Sequence, residues 1–469
     1  MHLFIEYAQQ FRRFQRNARL YLISNVLSGV TTGILLVLYN LYLVSLGYHT
    51  DFIGAVLFIG SIGAGLAIFP AGVCIDRFSG KAILIWASAL IGVAGAGQIL
   101  FRQPLPLLVS AFMVGVGVAF MLVVNAPFLT ANSTPGERPH LFSMNISLGL
   151  ATLVLGEVLG GALPAWLHSF SWLMAPLPPW ASLLLASQPD PRSYQLALLF
   201  AGAIAAPSFI PLFMLTNDRP SRGILPSRVG GRGVHALRGG GGGDEGRGCL
   251  HRPGLGSIPS AARIHTLLHT PFFFLTLVYI LTGFGAGLFI PYFNIYFVEH
   301  LKASPSLFGL IDGGANAITA LFTLAAPGLA KRLGRINTIA LTRLASIPLL
   351  LTIGLTSILP LAALLYLFRQ GAMDMSAGIL QVYSMEAVSQ KNRGVANSSY
   401  QAAFQAPQAI AAPIGGLLIV QLGYPPIFLL GAFLYILTII ILLGRFGRGK
   451  SGGSAADDTS SPIIHETPV

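Results

Sequence analysis

Two stretches of the chain decide its fold: SGVTTGILLVLYNLYLV at residues 28–44 and TGFGAGLFIPYFNIYFV at residues 282–298. They repeat each other at a constant offset of 254 and share five identities, which pair Gly29 with Gly283, Gly33 with Gly287, Asn40 with Asn294, Tyr42 with Tyr296 and Val44 with Val298. Farther along, the pair at residues 160–161 matches the pair at residues 415–416 at an offset of 255. The chain therefore consists of two related halves.

Apolar segments long enough to cross a bilayer recur through both halves. Each span needs about 20 mostly apolar residues, and hydrophobic residues make up 54% of the 469 residues. We count twelve segments, at about residues 20–46, 52–75, 82–101, 106–129, 142–164, 193–215, 271–297, 307–328, 337–358, 361–386, 398–420 and 424–444. Six spans per half give both halves the same direction through the membrane. The sequence predicts an all-α integral membrane protein with twelve transmembrane helices as two parallel six-helix repeats.

One further apolar stretch, at residues 165–187, could be counted as a thirteenth span. Pro176, Pro178 and Pro179 interrupt it, and three of the four Trp residues of the chain lie within it. Proline breaks helices, and Trp is enriched at membrane–water interfaces. We interpret this stretch as an interfacial segment on the outer side.

The charges indicate orientation. Only 9% of residues are charged, against about 25% in soluble domains, which excludes an ordinary soluble enzyme. Of the 28 Lys and Arg residues, 23 fall in the loops on the side of the two termini, three in the opposite loops and two within spans. By the positive-inside rule, we expect a multi-pass protein of the plasma membrane with both termini cytoplasmic. The net charge of +12 therefore indicates topology and not nucleic-acid binding.

Five regions follow from the spans: a cytoplasmic N-terminal segment (1–19), an N-terminal six-helix bundle (20–215), a cytoplasmic Gly/Arg-rich linker (216–268), a C-terminal six-helix bundle (269–444) and a disordered cytoplasmic tail (445–469). The linker has almost no apolar content and cannot bury enough surface to fold. A local reading-frame artefact in the linker is the alternative that the sequence leaves open.

The loop between the second and third predicted helices carries a family resemblance. It contains Gly72, Asp76, Arg77, Gly80 and Lys81, and it resembles the signature loop of the major facilitator superfamily, G-x-x-x-D-R-x-G-R-K, with one extra residue before the second glycine. The resemblance implies a secondary transporter that rocks its two halves around a central site. It also implies that Asp76 helps to hold the cytoplasmic side closed, with Arg77 and Lys81 as basic neighbours. Solvated loop charges that only set topology are the alternative.

Two departures from the family pattern are visible. The equivalent loop of the second half, residues 328–335, keeps glycines and basic residues but lacks the acid. The fifth helix ends in a Gly-Glu-Val-Leu-Gly-Gly sequence at residues 156–161, which resembles the end of the superfamily's exporter motif, G-P-x-x-G-G. Glu157 occupies the proline position. The closest resemblance is to the drug and metabolite exporters.

Charges inside spans are functional candidates, because each costs at least about 2.5–3.5 kcal/mol at mid-membrane. The chain has five: Glu157, Asp312, Arg343, Arg369 and Asp374. Asp374 lies near the middle of the tenth helix, and Arg369 is about 7.5 Å along the axis and about 140° around it. They do not share a face, so we expect each to find partners on other helices or water.

We assign roles to these charges as follows. Asp374 is the leading candidate for a proton or substrate-cation site, with a structural buried ion pair as the alternative. Glu157 is a second candidate proton carrier, and Arg369 is a candidate for attracting an anionic substrate group. Asp312 and Asn316, near the outer end of the eighth helix, are interpreted as facing a wet vestibule.

Neutral polar residues complete a candidate pathway. Gln401, Gln405 and Gln408 form an i, i+4, i+7 stripe on the eleventh helix. Asn40, Tyr42, Asn294 and Tyr296 lie in the outer halves of the first and seventh helices, which line the pathway in the superfamily that the chain resembles. Interfacial anchoring is the alternative for the tyrosines. A wide apolar lining would suit an amphipathic substrate.

We predict a secondary active transporter, proton-coupled and exporting an amphipathic small molecule. A passive uniporter or importer, and a non-transporting sensor or interaction protein, are the alternatives. Residues 444–451 match a P-loop pattern but follow a transmembrane helix where a buried strand is required, so we interpret the match as a coincidence. No cluster of His and acidic residues has metal-ligand spacing, and no nucleophile lies with a base in a recognisable motif, so we expect no enzyme, cofactor or metal site. The expected partners are a small-molecule substrate, protons and the lipid bilayer, with no nucleic acid, and the expected state is a monomer.

Overall fold

The computed structural model describes residues 11, 14–134, 136–182, 184–216, 270–388 and 393–447. Twelve long helices account for most of these residues: α1 (Arg16–Ser45), α2 (Thr50–Arg77), α3 (Gly80–Leu100), α4 (Pro104–Ala131), α5 (Arg138–His168), α6 (Pro189–Phe213), α7 (Pro271–His300), α8 (Pro305–Leu333), α9 (Arg335–Leu355), α10 (Leu359–Glu386), α11 (Arg393–Leu422) and α12 (Pro425–Phe446). The predicted all-α fold is confirmed, with no strand in the described part of the chain.

Eleven of these helices are long and apolar enough to cross a membrane by themselves. The remaining one, α10, has 28 residues, enough length for a span. Its central residues include Arg369, Gln370 and Asp374, which lower its hydropathy. The helix that carries the leading proton-site candidate is therefore the one that is less apolar than a typical span.

The two halves have the same internal arrangement. In the N-terminal half, α1 packs on α5 and α6, and α4 packs on α2 and α3; in the C-terminal half, α7 packs on α11 and α12, and α10 packs on α8 and α9. The halves meet where α5 contacts α8 and where α2 contacts α11. We call the side where α1 and α7 begin the terminal face, and the side where they end the far face.

Residues 165–187 do not form a span. After α5 ends at His168, two single helical turns follow, Ser171–Met174 and Pro179–Ser182. Trp166 and Trp172 are 54% and 72% exposed. This geometry agrees with an interfacial segment at the far face.

Helix α7 is discontinuous near the far face. A 3₁₀ turn, Ile290–Tyr292, follows its first 19 residues, and a π turn, Tyr296–His300, ends it. Pro291 causes the first break because it has no N–H to donate to the preceding turn. The predicted linker, apart from Thr216, and most of the predicted tail and N-terminal segment lie outside the described residues, so those boundaries stay predictions.

Candidate functional site

The far face is closed by a reciprocal contact between α1 and α7. The Asn40 amide Nδ2 donates to the carbonyl of Pro291 at 2.7 Å and to Oδ1 of Asn294 at 3.3 Å. The Asn294 amide donates in return to the carbonyls of Leu36 and Val37, at 3.4 and 3.3 Å. The two asparagines that the repeat matches in sequence are thus hydrogen-bonded to each other across the two halves.

The break in α7 makes this contact possible. The N–H of Ile295 donates to Oδ1 of Asn294 at 2.9 Å, where a regular helix would direct it to the carbonyl of Pro291. That carbonyl is then free to accept the hydrogen bond of Asn40. The irregular backbone of α7 therefore supplies an acceptor to the opposite half.

Two further contacts seal the far face at matched places. The Ser306 hydroxyl, at the start of α8, donates to the carbonyl of Gly161 in α5 at 3.0 Å. The Thr50 hydroxyl, at the start of α2, donates to the carbonyl of Gly416 in α11 at 2.9 Å. We call the contact surface between the two halves the seam. These contacts close the seam at the far face of the bundle.

Tyr42 and Tyr296 belong to the packing inside each half. The Tyr42 hydroxyl donates to the carbonyl of Ile99 in α3 at 2.7 Å, and the Tyr296 hydroxyl donates to the carbonyl of Ile353 in α9. Both tyrosines are at most 1% exposed. Their positions in α1 and α7 predict residues that line the pathway or anchor the helices at the interface. In the structure both hydroxyls bond to neighbours in their own halves.

Glu157 is buried where α5 meets α8. It is 1% exposed, and the Asn316 amide donates to both of its carboxylate oxygens at 3.0 Å. This hydrogen bond joins the N-terminal half to the C-terminal half. The candidate proton carrier of α5 is thus part of the interface between the halves.

Asp312 lies one turn from Asn316 on α8 and accepts a hydrogen bond from the Tyr366 hydroxyl of α10 at 2.8 Å. Tyr366 is 5% exposed. Asp312 and Asn316 are half-buried, and both have polar partners in the bundle: the phenol of Tyr366 for Asp312 and the carboxylate of Glu157 for Asn316. Their interpretation as residues that face a wet vestibule stays a prediction.

Asp374 and Arg369 are connected by a residue between them. The Gln370 amide donates to Oδ2 of Asp374 at 2.9 Å, and its carbonyl accepts from Nη1 of Arg369 at 3.0 Å. The Thr319 hydroxyl of α8 also donates to Asp374, at 3.5 Å. Asp374 therefore has one partner on another helix, Thr319 of α8, and one on its own helix, Gln370.

Arg369 is fully buried, with two aromatic rings beside it. Its exposure is 0%, and its Cζ lies 5.0 Å from the ring centre of Phe289 and 5.7 Å from that of Phe293. Its Nε and Nη2 atoms have no hydrogen-bond partner. Attraction to the ring faces therefore contributes to the stabilisation of this charge inside the C-terminal half.

Arg343 of α9 is held by hydroxyls. It is 1% exposed, its Nε donates to Ser376 at 3.3 Å, and its Nη1 donates to Thr282 and Thr438 at 3.1 and 3.0 Å. These partners come from α10, α7 and α12, so Arg343 cross-links the helices of one half. Its position is that of a packing residue.

The glutamines of α11 lie beside the seam. Helix α11 packs on α7 through Phe404 and on α2 through Gly416. At about 100° per residue, Gln401 and Gln405 fall between these two faces, and both side chains are exposed. They are accessible on the side of the seam that the far-face contacts leave free.

The signature loop turns from α2 into α3 at the terminal face. Lys81 donates to the carbonyls of Phe213 and Leu215 at 2.9 and 2.6 Å, so it caps the end of α6. Arg77 is exposed. Gly80 begins α3 beside the ring of Phe128, and Gly72 has open space around it.

The conformational lock therefore remains a prediction. The side chain of Asp76 is outside the described part of the structure, so its predicted contacts with Arg77 and Lys81 are untested. In the second half, Arg335 lies at the position that matches Lys81 at the offset of 254. It forms an ion pair with Glu386 at the end of α10. This ion pair ties α9 to α10 and stays within one half.

A cavity of about 490 Å³ lies between α8 and α10 toward the terminal face. Thr323 and Gly378 line it, one turn beyond Thr319 and Asp374. Its apolar walls are formed by Ala326, Pro327, Ala330, Met375, Ile379 and Val382. Two basic residues, Lys331 and Arg335, also line it. The cavity thus begins close to the candidate proton site.

Sequence reasoning missed Thr319, Tyr366 and Gln370. A signal for the first was present, because Asp312, Asn316 and Thr319 are spaced i, i+4, i+7 on α8, the rule that identified the stripe of α11. Tyr366 and Gln370 precede Asp374 by eight and four residues and share its side of α10. No group of three or more metal-ligating side chains occurs among the described residues.

Comparison with known families gives a match over most of the chain. The sequence model of the Major Facilitator Superfamily matches residues 21–275 and again residues 275–465. The two matches correspond to the two halves. No curated protein sequence matches significantly.

Solved structures with this fold are similar at low sequence identity. A bacterial homologue of the iron transporter ferroportin, in an inward-facing state, has 16% identity and a TM-score of 0.66, covering 92% of this chain and 98% of that chain. The nucleoside transporter NupG has 13% identity and a TM-score of 0.64, with coverage of 92% and 100%. A D-xylose–proton symporter has 14% identity and a TM-score of 0.63, with coverage of 91% and 96%.

Proposed function

Since the chain belongs to the Major Facilitator Superfamily, it is a multi-pass membrane transporter and not an enzyme, and we propose that it exports a small amphipathic molecule in exchange for protons. The observation that carries the proposal is the polar chain of α5, α8 and α10, in which Glu157 is buried and Asp312 and Asp374 are half-buried. It contains three carboxyl groups, those of Glu157, Asp312 and Asp374, each with hydrogen-bond partners. Carboxyl groups at membrane depth are costly and mark ion and proton pathways.

Asp374 and Glu157 are the proposed proton carriers. Asp374 lies next to the cavity of α8 and α10, which gives it a route to the terminal face. Glu157 lies at the interface between the halves, bonded to Asn316. In this proposal one proton site is reached from the terminal face, and the other responds to the relative position of the halves.

The orientation and location are also proposed. The terminal face carries the basic loops, which indicates a cytoplasmic location for both termini, and we place the protein in the plasma membrane. The far face is then external, and the structure represents a state closed toward the outside. The solved bacterial homologue of ferroportin is likewise described as inward-facing.

Several features support an amphipathic substrate. The cavity between α8 and α10 has mostly apolar walls and a basic edge formed by Lys331 and Arg335. Gln401 and Gln405 add amide groups beside the seam, and Asn40 and Asn294 form the closed external end of the path. Arg369 sets the electrostatics of the site through Gln370.

The proposed direction of transport is export. The segment at residues 156–161, which resembles an exporter motif, supports this direction. In this proposal the protein acts as a monomer, and its partners are the substrate, protons and the lipid bilayer.

The signature loop supplies the proposed lock of the cytoplasmic side. Gly72 and Gly80 flank a turn in which Asp76 makes charge contacts when that side closes. Lys81 already holds the end of α6, and Arg77 is exposed and available. The loop is therefore positioned to respond to movement of the N-terminal half.

The energetics allow concentrative export. At about 100 mV and one pH unit, one proton supplies about 2.3 plus about 1.4 kcal/mol. Because about 1.4 kcal/mol corresponds to a factor of ten, this energy supports a substrate gradient of several hundred-fold. One proton per transport cycle is therefore enough to maintain such a substrate gradient.

Transport in proteoliposomes tests the proposal. A panel of amphipathic compounds is measured with and without an imposed pH gradient, for wild type and Asp374→Asn, with Asp190→Asn as the control because Asp190 is an exposed carboxylate of the far face. We expect uphill movement of at least one compound only when protons flow. Asp374→Asn should abolish uphill movement while leaving substrate exchange, and the control should behave as wild type.

Two other outcomes would contradict the proposal. Flux that does not respond to the pH gradient would identify a passive uniporter or importer. If no compound of a broad panel moves, the non-transporting sensor replaces transport as the explanation of the fold.

A further inference from the structure

Glu157 and Asp312 bring one carboxyl group from each half to the same seam. The Glu157 carboxylate reaches Asn316, and Asp312 is four residues before Asn316 on α8. Side chains four apart on a helix have Cβ atoms about 5–6 Å from each other. The two carboxyl groups are therefore neighbours across the contact of α5 with α8.

The seam around this pair is tightly closed. A Cβ atom added to Gly309 would lie 2.4 Å from the carbonyl oxygen of Glu157, and one added to Gly313 would lie 3.2 Å from the side chain of Val158. On the other side of α5, Gly156 touches the backbone of α1 at Val30. Backbone therefore encloses Glu157, which is 1% exposed, and Asp312 is half-buried beside it. Like charges at this place are less screened than in water.

The groups that face the pair are few. From α10, Tyr366 donates to Asp312, while Asp374 and the cation Arg369 are both engaged with Gln370. From α8, Asn316 donates to Glu157. From α1, the facing groups are Gly33 and Ile34, which carry no charge.

We propose that Glu157 and Asp312 form one carboxyl pair that holds a single proton while the far face is closed, and that ionisation of both groups separates α5 from α8 and opens the far face. The proton leaves to water on the terminal side and is replaced from water on the far side. This inference rests on the proposed proton coupling and assigns the coupling between protonation and movement to Asp312 together with Glu157.

The proposed order of events agrees with exchange. External water protonates the open pair, the repulsion disappears, and α5 and α8 close the far face. Release of the proton to the terminal side restores both charges and favours reopening. Substrate that binds on the terminal side before reopening is carried outward.

Distances between spin labels on the far face test the inference without knowledge of the substrate. Gln103→Cys and Ser357→Cys are exposed loop positions at the matched offset of 254, combined with Cys74→Ser and Cys249→Ser. Pulsed electron resonance is recorded in lipid nanodiscs from acidic to alkaline pH. We expect the short distance to dominate at acidic pH and a longer distance to grow as pH rises.

Conservative variants then decide between the pair and other groups. Glu157→Gln and Asp312→Asn should each keep the short distance at every pH, and either variant suffices if the other does not fold. The matched control Asp190→Asn should keep the wild-type response. A distance in wild type that does not change with pH, or an unchanged response in both variants, would overturn the inference.

The inference and the proposed function can fail separately. If the far face ignores pH but the transport of wild type still depends on protons and on Asp374, the pair is excluded and the proposed function stands. If the far face opens with rising pH but flux does not depend on protons, the pair stands as a pH-dependent gate and the proposed exchange is contradicted.

Discussion

At the scale of single residues, the two buried arginines of the C-terminal half are stabilised in different ways. Arg343 donates to three hydroxyls from three helices, whereas Arg369 combines one hydrogen bond with two aromatic faces. Only Arg369 connects to a carboxylate, through Gln370. This difference assigns packing to Arg343 and electrostatic tuning to Arg369.

Arg343→Met should leave the stability of the protein within about 1 kcal/mol of wild type. The hydroxyls that Arg343 contacts are those of Thr282, Ser376 and Thr438, and each of them also donates to a carbonyl of its own helix. Methionine therefore leaves no donor unsatisfied and removes a desolvated charge. Arg343→Ala should cost about 3–5 kcal/mol because it leaves a cavity. Thermal unfolding in detergent measures both; equal losses for Met and Ala would refute the packing role.

Residue positions in the sequence predict which charges lie within spans but not which atoms they meet. Glu157 and Asp374 are identifiable because charges within apolar spans are rare. The bridge by Gln370 depends on side-chain rotamers, and the meeting of Asp312 with Glu157 depends on how α5 and α8 pack. Neither the rotamers nor the packing of distant helices is encoded in spacing along the chain.

At the scale of helices, glycine contacts set the distance between α1 and α5 and between α7 and α11. A Cβ atom added to Gly33 would lie 2.2 Å from the carbonyl oxygen of Leu153, and one added to Gly287 would lie 2.2 Å from that of Gln408. Gly33 is four residues after Gly29, and Gly287 is four residues after Gly283, a spacing that favours close helix packing in membranes. Small residues are needed there because backbone meets backbone.

Gly33→Ala and Gly287→Ala should each destabilise the protein by about 1–3 kcal/mol, because the new methyl group overpacks a backbone contact. Gly65→Ala in α2 is the matched control, since nothing lies within 4 Å of its added Cβ. The control should be neutral or stabilised by up to about 1 kcal/mol. Thermal unfolding compares the three variants, and equal effects in all of them would contradict the assignment of Gly33 and Gly287 to close backbone contacts between helices.

At the scale of the whole molecule, the repeat read from residues 28–44 and 282–298 extends to atomic contacts. Tyr42 bonds Ile99 and Tyr296 bonds Ile353, and both partners differ by 254 positions. The offset predicted that the halves are equivalent. It could not predict that Asn40 and Asn294 meet, because that contact depends on the conformational state of the transporter.

The two halves differ where chemistry is expected. Among the charges within the spans, Arg343, Arg369, Asp312 and Asp374 belong to the C-terminal half, and Glu157 of α5 is the one that belongs to the N-terminal half. We therefore expect the two halves to move as equivalent bodies, although the polar residues between them differ from one half to the other. Its central claim is that substrate and proton movement are obligatorily linked.

Substrate-driven proton movement tests this claim most directly. Proteoliposomes that hold a pH-sensitive dye and a transported compound are diluted into compound-free medium without any pH gradient. The account predicts that the compound leaving the vesicles drives protons inward, so that the lumen acidifies in wild type but not in Asp374→Asn. Efflux of the compound from wild-type vesicles with no change in lumenal pH would contradict the account.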